Sequence, residues 1–328
     1  MIDVQTTHTD FDRYHGEECA MTQCRLFTFT STAGPLLDAR IWLPEGQPKA
    51  IVQMIHGMAE HIDRYDAPAR YLAGQGFLVV GHTHLGHGPR AEIKGFFAEK
   101  DGWQRLIDDV HVLRQRTQQE HPGLPYFILG HSMGSFVARC YLREHAEGLA
   151  GCVLSGTGVF GKGIASLGVA VSGLVCLFGG EKRPSPLIDK LGFSSSNKPF
   201  APNRTPFDWL SRDEAVVDQF IADPDCGFPF TGSGYRDLFR GLIRLSDTAE
   251  MQSIPKDLPL LLFSGDHDPV GGMGEGVKKV AEEFRQAGLR DITLTLYEGG
   301  RHEMFNELDR EEVYAALAAW LDRHLKRE

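Results

Sequence analysis

A serine, an acid and a histidine in three separate stretches could together perform nucleophilic catalysis. A serine hydroxyl is a poor nucleophile near neutral pH, so it needs a base, and the base needs an acid to orient it. Ser132 stands in Gly130-His131-Ser132-Met133-Gly134, with a glycine two residues to either side. The bracket has a steric reason. A chain that turns sharply at a serine brings the flanking backbone too close for a β-carbon, and it pushes the serine towards a backbone region that neighbouring side chains would block. The Met133 N–H would then point at an oxyanion. Two acids, Asp266 and Asp268, follow in Gly265-Asp266-His267-Asp268-Pro269-Val270. At least one of them is a plain turn former or helix cap. His302 comes last, in Glu298-Gly299-Gly300-Arg301-His302-Glu303-Met304.

The elements around these stretches place all three at one rim. Tyr126–Leu129 is a short apolar run that ends at Gly130, and a helical pattern follows at once with Met133, Phe136, Val137, Cys140 and Tyr141 on one face. Pro259–Ser264 and Ile292–Tyr297 read as buried strands running into the acid and histidine loops. Upstream, Thr28–Thr30 and Leu36–Leu43 read as a hairpin, and Ala50–Ile55 and Phe77–Val80 as buried strands. A helix is expected from about Tyr65 to Ala73. A second shows an apolar face of Trp103, Leu106, Ile107, Val110 and Leu113, and Leu149–Leu154 is a further strand. Near the end, Val277, Val280, Ala281 and Phe284 mark one helix face and Val313, Ala316, Leu317, Trp320 and Leu321 another. Strands alternating with helices, each strand continuously apolar, predict a parallel sheet covered on both faces. In such a sheet the loops after parallel strands share one carboxyl edge.

Between Ser155 and Ile254 the alternation fails. The interval opens with an uncharged stretch, Gly163 to Gly180, and then becomes rich in proline, serine and aromatics. A membrane span there would split the two halves of one sheet across a bilayer, and five glycines weaken the stretch as a helix. A cap with an apolar inner face is expected instead. Its amphiphilic surface is compatible with transient membrane contact.

With 328 residues the chain is long enough for one large α/β domain with an insertion, or for two domains. The formal charge of -10 argues against a nucleic-acid partner and against docking on anionic lipid by charge alone. Six scattered cysteines without a C-x-x-C pair suit free thiols in a reducing compartment. Met1 to Asp12 is polar and acidic, without the apolar core of a signal peptide, so the expected location is the cytoplasm.

Taken together, these stretches resemble the α/β-hydrolase superfamily, whose nucleophile elbow is G-x-S-x-G. The chain is especially similar to the monoglyceride lipase and lysophospholipase-like group. That group carries H-G-x-x-E-H after its third strand, here His56-Gly57-Met58-Ala59-Glu60-His61, and G-H-S-M-G at the elbow, here Gly130 to Gly134. Its acid motif G-x-x-D picks Asp268 over Asp266, and its histidine loop matches Gly299-Gly300-Arg301-His302-Glu303. The resemblance implies an α/β-hydrolase fold: a mostly parallel central sheet covered by helices on both faces. Residues 1–155 and 255–328 would form the core and 156–254 an inserted cap.

The resemblance further implies that Ser132 attacks an acyl carbonyl, His302 takes its proton and Asp268 holds the imidazole, while the N–H groups of Met58 and Met133 bind the oxyanion. Gly57, Glu60, His61, Gly130, His131 and Gly134 would support the elbow and its facing loop. No cofactor or metal is needed. The implied substrate is a small carboxylic ester, lipid-like, such as a monoacylglycerol or lysophospholipid, although the same chemistry would serve a thioester, an aryl ester or a small amide. One departure is Thr83, where the group has the aspartate of D-x-x-G-H-G.

Two rival readings use other features. His82-x-His84-x-x-His87 is similar to the zinc run H-x-H-x-D-H, with Gly86 at the aspartate position. A catalytically silent binding module on the same scaffold is the other, since fold does not fix function.

Overall fold

In the computed structural model residues 23–193 and 195–325 are described; the polar segment Met1 to Asp12 and Cys19 lie outside them. The first two strands, β1 (Gln23–Thr30) and β2 (Leu36–Leu43), pair antiparallel as the expected hairpin, with β1 longer than the sequence indicated. Next come β3 (Ala50–Ile55), α1 (Asp66–Gly74), β4 (Phe77–His82), α2 (Gly102–Glu120), β5 (Tyr126–His131), α3 (Met133–His145) and β6 (Gly151–Ser155). Among the described residues four α-helices then follow without a strand: α4 (Lys162–Val175), α5 (Pro186–Phe193), α6 (Glu214–Ala222) and α7 (Gly232–Leu245). The chain ends with β7 (Leu260–Gly265), α8 (Glu275–Gln286), β8 (Ile292–Tyr297) and α9 (Arg310–Arg323).

Among the described residues the sheet has eight strands, in the order β1-β2-β4-β3-β5-β6-β7-β8. The pairings of β2 with β1 and β4 are antiparallel; every other pairing is parallel. This is the α/β-hydrolase fold.

Side-chain alternation sorts each central strand between two cores. Ile51 and Ile55 of β3 join the core beneath α2, α3 and α8, whereas Ala50, Val52 and Met54 join the one beneath α1 and α9. Gln53 is the polar exception. It is fully buried but satisfied, donating to Val110 O at 3.0 Å and accepting from Tyr126 OH at 2.7 Å.

Three details differ from expectation. Ala316 is exposed, and Tyr314 and Ala318 take its place on the buried face of α9; alanine carries too little hydrophobic signal to fix a helix phase. Helix α3 is buried nearly all round rather than on one face, because α2 and α7 pack against it. The glycine-rich stretch is helical over α4. One of its glycines serves packing: a β-carbon on Gly168 would come within 2.6 Å of the Phe239 ring of α7, whereas Gly163 and Gly173 have open space around them. The stretch Lys162–Gly180 is long and apolar enough to cross a membrane by length and composition, and little of it is buried.

Candidate active site

Strand β5 turns into α3 at Ser132, whose backbone is held at φ 52° and ψ −122°. A non-glycine residue at positive φ is strained, and such strain persists only where the surroundings over-determine it. Here they do. A β-carbon on Gly134 would lie 2.1 Å from Ile55 O, and one on Gly130 would lie 2.3 Å from Gly134 O. Ser132 N–H donates to Ser155 O at 2.9 Å, tying the elbow to β6. Ser132 is half-buried at the start of α3, and the Met133 N–H is the first of that helix.

Two strands along, β7 delivers the acid and β8 the histidine. Asp268 Oδ1 lies 3.0 Å from His302 Nδ1, and both residues are buried. Asp268 also accepts from Ser264 Oγ at 2.7 Å and from Val270 N–H at 2.8 Å. Asp266, the other candidate, instead accepts from Gly299 N–H at 2.8 Å and contacts His267 Nδ1 at 2.6 Å, so it closes the turn. The structure therefore brings Asp268, and not Asp266, to His302.

Burial opposes ionisation of Asp268, but His302, Ser264 and the Val270 N–H outweigh it and hold the carboxyl below its ordinary value. For His302, burial acts against the proton, yet Asp268, with Glu303 and Glu60 behind it, raises the imidazole above its ordinary value. With Nδ1–H given to Asp268, Nε2 is the free base position. The His302 ring packs 4.8 Å from the ring of His131, the residue before Ser132, and 5.0 Å from that of Trp209. Among the described residues no hydrogen bond joins Ser132 to His302 directly. Such bonds are often long in a free enzyme and tighten when substrate binds.

The loop facing the elbow is His56–His61. A β-carbon on Gly57 would sit 3.2 Å from Ser132 Cβ, so the loop lies against the serine, with half-buried Met58 next in line. Glu60 holds that loop from below: its Oε1 accepts from Gly57 N–H and from Tyr65 OH at 2.7 Å, and its other oxygen pairs with Arg64. Burial opposes its charge, but Arg64, His131, Tyr65 and Gly57 keep it below the usual carboxylate range. His61 Nε2 meets Asp223 at 2.8 Å, and Ala59 O accepts from Gly227 N–H at 2.9 Å. Thr83, at the position of the departure, accepts from Ile62 N–H at 3.4 Å, a long bond. Arg64, Trp209 and Ser264 were not singled out by the sequence. Only Arg64 carried a local signal, four residues after Glu60.

Among the described residues the ring nitrogens of His82, His84 and His87 do not gather as one close set of ligand atoms. His87 Nε2 accepts from Ala59 N–H at 3.2 Å and its Nδ1 binds Leu85 O at 2.9 Å. The rings pack against one another and against His56, at centroid distances from 4.1 to 6.0 Å, as a buried aromatic cluster. The one group of metal-ligating type among the described residues is elsewhere, at His61, Asp223 and Cys226.

Residues 46–309 match the family described as serine aminopeptidase, S33. The chain belongs to this family of α/β-hydrolases. It is 29% identical over 302 residues to the monoacylglycerol lipase of Mycolicibacterium smegmatis, covering 91% of this chain and 97% of that one. With the monoglyceride lipase of Mus musculus it shares 30% identity over 298 residues, covering 89% and 88%. Among solved structures it is similar to a highly thermostable carboxyl esterase from Bacillus coagulans in complex with glycerol. There the TM-score is 0.86 at 30% identity, over 92% of this chain and 99% of that one. The chain is accordingly a serine hydrolase of the ester-cleaving kind.

Proposed function

We propose that the chain cleaves lipophilic carboxylic esters, monoacylglycerols foremost, through an acyl-enzyme on Ser132. The Ser132 oxygen forms a bond to the acyl carbon as its proton passes to His302 Nε2, and the carbonyl electron pair moves onto oxygen. Collapse of that intermediate breaks the ester C–O bond, and His302 returns the proton to the leaving alcohol. Water repeats the sequence to release the acid. Asp268 keeps the imidazole in the right tautomer and stabilises its cation. Met58 and Met133 N–H groups receive the oxyanion, a donor of this kind being worth about 3 kcal/mol.

The observation that carries this reading is the buried Asp268–His302 contact of 3.0 Å beside a strained Ser132. Monoacylglycerol as substrate rests on the lipases and the esterase to which the chain is similar. We also infer that residues 156–254 form a cap over the site. The contacts of Trp209 with His302 and of Asp223 with His61 support it. Leu177 and Phe178, 82% and 84% exposed, support transient membrane-surface contact through the same cap. The described cysteines are all free, which suits the cytoplasm.

The test is a panel of p-nitrophenyl esters from short to long acyl chains, run beside monoacylglycerols, on the wild-type protein and on Ser132→Ala. Turnover confined to the wild type and rising with chain length is expected. Turnover retained in Ser132→Ala removes this serine from the mechanism.

A further inference from the structure

Accepting the reading of His302 as the general base, its ring must keep Nε2 aimed at Ser132 in both protonation states. Asp268 fixes one atom of the ring, Nδ1. The ring is also tethered through its own Cβ–Cγ bond, but a single hydrogen bond leaves it room to tilt, so packing on its faces narrows its plane.

Two rings pack on it. His131, at 4.8 Å, belongs to the core and is itself held by Ser155 Oγ at 3.1 Å. Trp209, at 5.0 Å and tilted by 37°, comes from the interval between β6 and β7. That part of the interval is bound along its length. Trp209 N–H donates to Asn197 Oδ1 at 2.9 Å, Glu303 N–H to Leu210 O at 2.7 Å, and Ser211 Oγ to Asn306 O at 2.8 Å. Arg212 places its N–H and its Nε on the carboxylate of Glu307 at 3.0 and 2.8 Å. Further on, Phe220 of α6 lies 4.8 Å from the Arg64 guanidinium, and the chain then reaches the facing loop through Asp223 and Gly227. Residues 208–227 thus span from the histidine loop to the loop that carries Met58 and are hydrogen-bonded to both.

We propose that Trp209 is a positioning residue for His302, carried by a fixed brace, residues 208–227, that sets the spacing between the histidine loop and the facing loop. An indole has few rotatable bonds and a large face, so it holds a neighbouring ring at low entropic cost. A misplacement near 1 Å costs a reaction of this kind about a hundredfold.

The test uses the full chain with Trp209→Ala and Trp209→Phe. A small acetyl ester and a small fluorophosphonate serve as probes, so that acyl-pocket fit plays no part. Trp209→Ala should lower kcat and the fluorophosphonate labelling rate together by about tenfold to a hundredfold with KM little changed. The downfield Nδ1–H proton resonance of His302 should broaden. Trp209→Phe should restore most of each. Hydrogen exchange at the Glu303 amide should stay slow in both variants. Unchanged kcat and labelling in Trp209→Ala would overturn the proposal, as would a change confined to KM. So would a loss accompanied by fast exchange at Glu303, because Trp209 would then only be holding the loop folded. Retained turnover in His302→Ala would instead overturn the reading of His302 on which the proposal rests.

Discussion

Arg64 reaches Glu303 through two parallel hydrogen bonds, Nη1 to Oε1 at 2.8 Å and Nη2 to Oε2 at 2.7 Å, while also pairing with Glu60. Glu60 bonds the Gly57 N–H and Glu303 follows His302 in sequence, so one guanidinium ties the loop facing the serine to the loop carrying the histidine. Removing the cation alone leaves two buried carboxylates without their partner. Arg64→Met is therefore expected to cost about 3–5 kcal/mol. The urea midpoint reads it. The triple change with Glu60→Gln and Glu303→Gln should recover much of that loss, and failure to recover any would mean that packing, not charge, makes Arg64 necessary.

On the proposed mechanism the rise of the His302 pKa sets the acidic limb of activity. The base must be neutral, and Asp268 holds its proton on to a pH above the ordinary 6.5. A profile of kcat/KM should climb with pH through a midpoint above 6.5. In Asp268→Asn the midpoint should drop and the plateau should fall by several orders of magnitude, since the imidazole loses both its charge partner and its tautomer.

The buried histidines predict acid sensitivity of the fold. Burial lowers His82 to about 3 and, helped by His302, His131 to about 4; His87 is also lowered to about 4, and His56 and His84 fall well below 6.5. In the unfolded chain all five take up protons as pH falls through about 6.5, while the folded protein does not. The stability these groups contribute is thus present above 6.5 and is lost on descending towards 4, by up to about 1.4 kcal/mol per pH unit per group. His302 runs the other way: its raised value contributes stability below 6.5 and loses it above, offsetting part of the effect. Thermal unfolding followed from pH 8 to 4.5 should show Tm falling most steeply below pH 6.5. A flat Tm across that range would contradict the depressed values.

The elbow glycines should tolerate no side chain. In Gly134→Ala the new carbon would meet backbone at Ile55 O, 2.1 Å away, which no rotamer change can relieve. Loss of soluble, folded protein is expected by circular dichroism, whereas Gly163→Ala, with nothing within 4 Å, should fold normally.

The strands that carry the candidate site were legible because each is a short, mostly apolar run with a glycine within two residues of its end. β3 and β8 begin and end where the sequence placed them. The choice between Asp266 and Asp268 was not legible from residue types alone, since both follow the same strand by a few residues and only the turn closed by Asp266 separates them. Helix α3 misled for a different reason. The apolar residues from Met133 to Tyr141 marked one face, but Arg139 and Arg143, outside that set, are buried too, donating to Gly158 O at 2.8 Å and Arg244 O at 2.6 Å. Their acceptors lie far along the chain, where no periodicity within α3 reports them. Trp209 was hidden likewise: its meaning comes from residue 302, and nothing near residue 209 points there.

The central claim is that Ser132 is activated by His302, and stoichiometric labelling tests it most directly. The protein, its Ser132→Ala variant and its His302→Ala variant would be treated with a fluorophosphonate and measured by intact mass and peptide mapping. One adduct per wild-type chain, located on Ser132, with none on Ser132→Ala and a rate at least about a thousandfold lower on His302→Ala, is the predicted result. An unlabelled wild type, an adduct on another residue, or equal labelling of His302→Ala would contradict it.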